Sequence, residues 1–183
     1  MIYSFSLQAV AIVIGLAYLL GHLPGFFRPA LVGEWLRGVP RSGLLGYLFF
    51  GAAMVWTLFL VATIDLGEFS TYRVRIFIFF LALGTGVLFY ARDYLAVRGL
   101  AALLCLAADI VLDAAFLHNE PAKLVYVTLA YVWVVVGILL FFSPYRLRDA
   151  IAWGTATPER IKLLSAGGAG FGLVLLGIGI VAF

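Results

Sequence analysis

Charge is scarce in this chain of 183 residues: 11% are Asp, Glu, Lys or Arg, while 65% are hydrophobic. Soluble domains are about a quarter charged. The scarcity excludes a water-soluble fold, whose exterior would have to be wetted, and makes a bilayer the solvent. Cysteine is almost absent. With Cys105 alone the chain forms no internal disulfide and offers no thiolate cluster to a metal. Histidine is limited to His22 and His118, which close two different spans on opposite sides of the membrane, too far apart to grip one haem iron. No cofactor and no metal are expected. A Ser–His–Asp order, a zinc ligand set and a G-x-S-x-G elbow are all missing, which argues against an enzyme. Met1–Leu23 has neither a positive leading region nor a small-x-small cleavage site, so it reads as a retained span and not as a signal peptide.

What is present is length of apolar sequence. About 20 residues of helix cross roughly 30 Å of hydrocarbon, and six runs suffice: Tyr3–Leu23, Leu44–Ile64, Val74–Arg92, Leu95–Leu117, Ala122–Phe142 and Leu163–Phe183. The expected fold class is all-α, a polytopic membrane protein with a bundle of six transmembrane helices and two interfacial amphipathic segments. Residues 1–183 form a single transmembrane domain in this reading.

The basic residues orient the bundle. Of the 12 Lys and Arg, nine follow spans one, three and five: Arg28, Arg37, Arg41, Arg92, Arg98, Arg146, Arg148, Arg160 and Lys162. Arg73, Arg75 and Lys123 follow spans two and four. Short loops rich in Lys and Arg stay cytoplasmic, so both termini should face away from the cytoplasm, in a plasma membrane of the bacterial inner-membrane kind. The net charge of +3 is dispersed among short loops, and no basic run of the kind that binds nucleic acid exists.

The connections 24–43 and 144–162 resemble each other. Each opens with a proline that ends a span (Pro24, Pro144). An Arg follows four residues on (Arg28, Arg148), then an Ala (Ala30, Ala150), a Trp (Trp35, Trp153) and a second Pro (Pro40, Pro158). Mixed Arg, Trp and Leu suit a helix lying in the headgroup plane. Arg28, Trp35, Arg37, Arg146, Arg148 and Trp153 are therefore candidate lipid-headgroup contacts. The pattern suggests a parallel hairpin repeat, 1–65 and 122–183, flanking spans 74–92 and 95–117.

Chemistry inside the membrane rests on two acids. Cys105, Asp109 and Asp113 fall on one face of the fourth span, at i, i+4 and i+8, on a helix made slim by Ala101, Ala102, Ala107, Ala108, Ala114 and Ala115. A carboxylate in hydrocarbon costs about 2.5 to 3.5 kcal/mol on insertion scales, so it should face protein or water. It can exchange a proton or cation along a transport path, or accept a structural hydrogen bond from a neighbouring span. Small residues four apart, Ser165 with Ala169 and Gly168 with Gly172, then Gly177 and Gly179, read as helix-packing positions, as do Gly84 and Gly86. Trp56, Trp133, Tyr126 and Tyr131 sit deeper than the interfacial rings and could line a site for a lipid, quinone or pigment, though packing against lipid explains them more simply.

These features point first to an accessory or structural subunit of a larger membrane complex, packing through small-residue and aromatic helix faces. The alternative is a small proton- or cation-coupled transporter or channel using Asp109 and Asp113. Expected partners are membrane lipids and other membrane subunits or further copies of the chain.

Overall fold

The computed structural model describes residues 3, 5–90, 93–116 and 118–183, and among them it is entirely helical, with eight α-helices, two short 3-10 segments and no strand. Six helices are long and apolar enough to cross a membrane. They are α1 (Leu7–Phe27), α3 (Gly43–Thr63), α4 (Arg73–Tyr90), α5 (Leu95–Ala115), α6 (Lys123–Phe142) and α8 (Pro158–Val181). Two helices of ten residues each, α2 (Pro29–Gly38) and α7 (Tyr145–Gly154), occupy the two long connections. Arg92 and Leu117, which end two of the expected spans, and Met1 lie outside the described residues.

Three boundaries differ from the sequence reading by four residues or more, each for an identifiable reason. Helix α1 begins at Leu7, four residues later than expected, because the Ser6 hydroxyl accepts the Ala9 amide at 3.2 Å and caps the first turn. It then runs through Pro24, expected to end it, as far as Phe27. A proline inside a helix forfeits one backbone bond. Here the turn is held by the Arg28 amide on the Pro24 carbonyl at 2.8 Å and by Gly25, buried against Ser165 of α8. Helix α8 begins at Pro158 and not in the apolar run at Leu163. Thr157 caps it by accepting the Arg160 amide at 3.3 Å, and a proline in the first turn has no amide to lose. Arg160 and Lys162 are therefore helical residues and not part of a loop.

Packing depends on close backbone approach, the interaction that remains when lipid tails are as apolar as leucine. Helices α1 and α8 run antiparallel and nearly touch: a methyl group on Gly172 would lie 2.6 Å from the Leu19 amide nitrogen, and one on Gly15 2.8 Å from that of Leu176. Helix α5 is the hub, packed on α3, α6 and α1. It runs parallel to α3, with Gly46 against Leu95 and Gly99 against Phe50, and antiparallel to α6, with Gly137 against Cys105. Helix α4 stands at the rim and leans on α3 where Gly84 meets Met54.

These directions put the start of α1, the ends of α3, α5 and α8, and the start of α6 at one end of the bundle. The core cluster sits there: Leu7, Val10, Ala108, Val111, Tyr126 and Leu175 are buried together. The Tyr126 hydroxyl donates to the Leu175 carbonyl at 2.5 Å. Helices α2 and α7 lie at the opposite end, together with eight of the basic residues: Arg28, Arg37, Arg41, Arg98, Arg146, Arg148, Arg160 and Lys162.

Candidate functional site

The acidic stripe is continuous on α5, but its members have different neighbours. Cys105 is a free thiol whose sulfur faces the Gly137 backbone, 2.6 Å from where a methyl group there would sit. It is a packing residue. Asp113 is half-buried and accepts the Tyr3 amide at 2.8 Å. The Tyr3 hydroxyl in turn accepts the Trp56 indole N–H of α3, also at 2.8 Å. The segment before α1, expected to be part of span one, thus straps α5 to α3. Sequence reasoning looked for a side-chain partner for this acid. The partner found is a backbone amide, which any residue type supplies and no motif announces.

Asp109 is also half-buried, within electrostatic reach of Asp113, and among the described residues no hydrogen bond reaches its carboxylate. It stands seven residues after Ala102, a spacing that returns to within about 20° of the same helix face. Ala102 lines a crevice of about 170 Å³ with Met54 and Thr57 of α3, Gly84 of α4 and Phe141 of α6. Asp109 therefore lies on the same face of α5 about 10 Å further along the helix axis, outside the lining of that crevice. The deep tryptophans are tied by tyrosines. Trp56 donates to Tyr3, and Trp133 donates to the Tyr18 hydroxyl at 3.0 Å while stacking on its ring. Trp133, Tyr18, Phe5 and Ile110 border an apolar cleft of about 420 Å³ between α1, α5 and α6.

The opposite end holds a larger cleft, of about 730 Å³, between the end of α1, both short helices and the start of α8. Its walls include Arg28, Leu31, Trp35, Ile151, Leu164 and Ser165. Beside it, Arg37 of α2 ties that helix to Thr155 at the end of α7. Its Nε donates to the Thr155 hydroxyl at 2.9 Å and its Nη2 to the Thr155 carbonyl. Thr155 and Ser165 are the buried polar residues of the described chain, at 4% and 7% exposure, and the sequence reading gave neither a role in a site. The signal for Thr155 was its place in the turn Gly154–Thr155–Ala156–Thr157–Pro158, where hydroxyls satisfy freed backbone groups.

Of the other expected headgroup contacts, Arg148 pairs with Asp149 at 2.7 Å and reaches the Tyr94 hydroxyl at 3.4 Å. Arg146, beside Tyr145, and then the Ser143 hydroxyl hold that phenol below its ordinary pKa. Trp153 is exposed, with the Arg160 guanidinium 5.4 Å from its ring centre. Trp35 is exposed on α2 and Arg28 lies in the cleft wall. The structure thus gathers all six candidates at one end of the bundle. His22 lies at that end against Gly168, while His118 lies at the other beside Phe183.

Cations at the two ends are used differently. At the core end Arg73 caps α3, donating to the Val61, Ala62 and Ile64 carbonyls at 3.0, 2.6 and 2.7 Å. Lys123 donates to the His118 carbonyl, and Arg75 rests over the Tyr72 ring. At the basic end no hydrogen bond or ion pair engages the side chains of Arg28 and Arg41 among the described residues. Family models, curated proteins and solved structures compared with this chain gave no match.

Proposed function

We propose that this protein is an accessory or structural subunit of a larger membrane complex, docking through the outer face of α8. The observation that carries the reading is a contrast between the two faces of that helix. Its inner glycines, Gly168, Gly172 and Gly179, each meet α1 at distances where a methyl group would clash. Its outer glycines, Gly167, Gly170 and Gly177, have nothing within 4 Å. Glycine costs about 1 kcal/mol relative to alanine in a helix, and the inner glycines of α8 make room for α1: Gly172 for the Leu19 backbone, Gly168 for the His22 ring and Gly179 for the Ala11 methyl. The same pattern facing outward suits a further transmembrane helix, from another subunit or a second copy.

In this reading the basic end is cytoplasmic and both termini face the other side of a plasma membrane of the bacterial inner-membrane kind. Helices α2 and α7 are interfacial, with Trp35 and Trp153 at the acyl boundary. Their equal length and equivalent placement also support the hairpin repeat 1–65 and 122–183. The test is cysteine cross-linking in native membranes from Gly170→Cys and Gly177→Cys. A cross-linked product that disappears in Gly177→Ile, with the monomer still folded, supports docking, and mass analysis of the product separates a foreign subunit from a second copy. Absence of any product from either position sinks the proposal.

One observation favours a second reading, transport of protons or cations. Asp109 is half-buried in a span, one turn from a second carboxylate, with no hydrogen bond from the described residues. An acid in that setting is a functional candidate by default. Asp109→Asn in reconstituted vesicles decides it: assembly retained with ion flux abolished supports transport, and unchanged flux removes Asp109 from any path.

A further inference from the structure

We propose that the cleft at the basic end holds one acyl chain of an anionic phospholipid from the cytoplasmic leaflet, with Arg28 on its phosphate. Its volume of about 730 Å³ falls within the roughly 300–1,000 Å³ range of ligand pockets. Leu31, Trp35, Ile151 and Leu164 give it apolar walls, and Arg28 is the one full charge among the lining residues. Glu34 shares α2 with Trp35 but lies outside the lining. A neighbouring hollow is bordered by Arg37, Arg41 and Arg148, the last paired with Asp149, and shares Ile151 with the cleft. The local field therefore favours an anion at the level where the apolar walls favour a hydrocarbon chain. A phospholipid combines both chemistries in one molecule, and the bilayer supplies it at high local concentration.

The glycines of this region distinguish a fitted cavity from loose packing. A methyl group on Gly25 would meet the Ser165 hydroxyl at 2.1 Å, and one on Gly33 would meet Ile161 at 2.9 Å. Those two glycines hold the walls together. Gly21 also lines the cleft, yet has nothing within 4 Å. A side chain added there enters open space on the side of the cleft and should take the place of a lipid chain.

The proposal rests on placing the basic end at the cytoplasmic headgroup level, and the experiment separates the two. Variants retaining Trp35 or Trp153 as the single tryptophan, the others changed to Phe, are reconstituted with phosphatidylglycerol or phosphatidylcholine brominated near the top of the acyl chain. Trp35 should be quenched several-fold more strongly by the brominated phosphatidylglycerol. Arg28→Gln should remove that preference, and Gly21→Phe should lower the quenching of Trp35 to the level that Trp153 shows at the acyl boundary. Quenching of Trp153 without Trp35 overturns lipid occupancy alone, and quenching of neither overturns the membrane placement beneath it. Equal quenching of Trp35 by both lipids overturns the anionic assignment. Relief of quenching by millimolar inorganic phosphate would identify free phosphate, not lipid, as the anion. Should the single-tryptophan variants fail to fold, lipid extracted from the purified full chain gives a second readout. About one anionic phospholipid per chain, lost in Gly21→Phe, is expected, and equal retention by both proteins overturns the proposal.

Discussion

Helices α4 and α5 are neighbours in sequence, similar in length and both apolar enough to span a membrane, yet they hold opposite places in the bundle. Nine residues of α5 are buried, and only Gly84 of α4 is. The difference lies in side-chain size. The contact faces of α5 are built of Ala96, Gly99, Ala101, Ala108, Ala114 and Ala115, so the backbones of α3, α6 and α1 can close on it. Helix α4 carries Phe77, Phe79, Phe80, Leu81, Leu83 and Phe89, whose bulk holds neighbours away and suits lipid chains. Hydropathy does not separate a hub from a rim helix. Small residues do, because in a bilayer close packing and not exclusion from water selects helix partners.

The sharpest way to break this comparison is at Gly99. A methyl group there would lie 2.4 Å from the Phe50 amide nitrogen, and backbone cannot step aside as a side chain can. Gly99→Ala should cost about 3 kcal/mol, at or above the usual range for overpacking. It would be read as loss of the monodisperse peak in detergent or a large fall in unfolding midpoint. A stability change under about 0.5 kcal/mol would remove α5 from the centre of the architecture.

Next in size is Asp113→Ala, which frees the Tyr3 amide and loosens the strap over Trp56. About 1–2 kcal/mol is expected from a lost charge-assisted hydrogen bond. Trp56 emission should shift, whereas emission from Trp133, bonded to Tyr18, should not.

On the rim helix the same type of change should matter less. A methyl group on Gly84 would meet the Met54 sulfur at 2.8 Å, and a flexible thioether can move. Gly84→Ala should therefore cost under about 1 kcal/mol. The smallest effect belongs to Gly86, which has nothing within 4 Å. Gly86→Ala should be neutral or stabilising by up to about 1 kcal/mol through helix propensity. A large loss there would mean that a partner covers α4 in the assembled state, detectable as a difference between detergent-purified protein and native membranes.

Much of this molecule is decided by sequence alone. Six apolar runs are each long enough for a helix that crosses a membrane, where every backbone amide must be bonded within its own helix. An even number of long helices brings both ends of the described chain to one end of the bundle, and the nine-to-three split of Lys and Arg distinguishes the two ends. Hydropathy alone brought the starts of α3, α4, α5 and α6 to within a residue, whereas Ser6 and Thr157 moved the other two because a single hydroxyl sets the first turn there. Tertiary structure alone decided which acid accepts the Tyr3 amide, and that Arg37 turns to Thr155 while Arg28 lines a cleft. Those outcomes depend on contacts between residues more than a hundred positions apart, such as Tyr3 with Asp113 and Arg37 with Thr155. Local sequence fixes which groups need partners; only the meeting of distant backbones determines which partners they find.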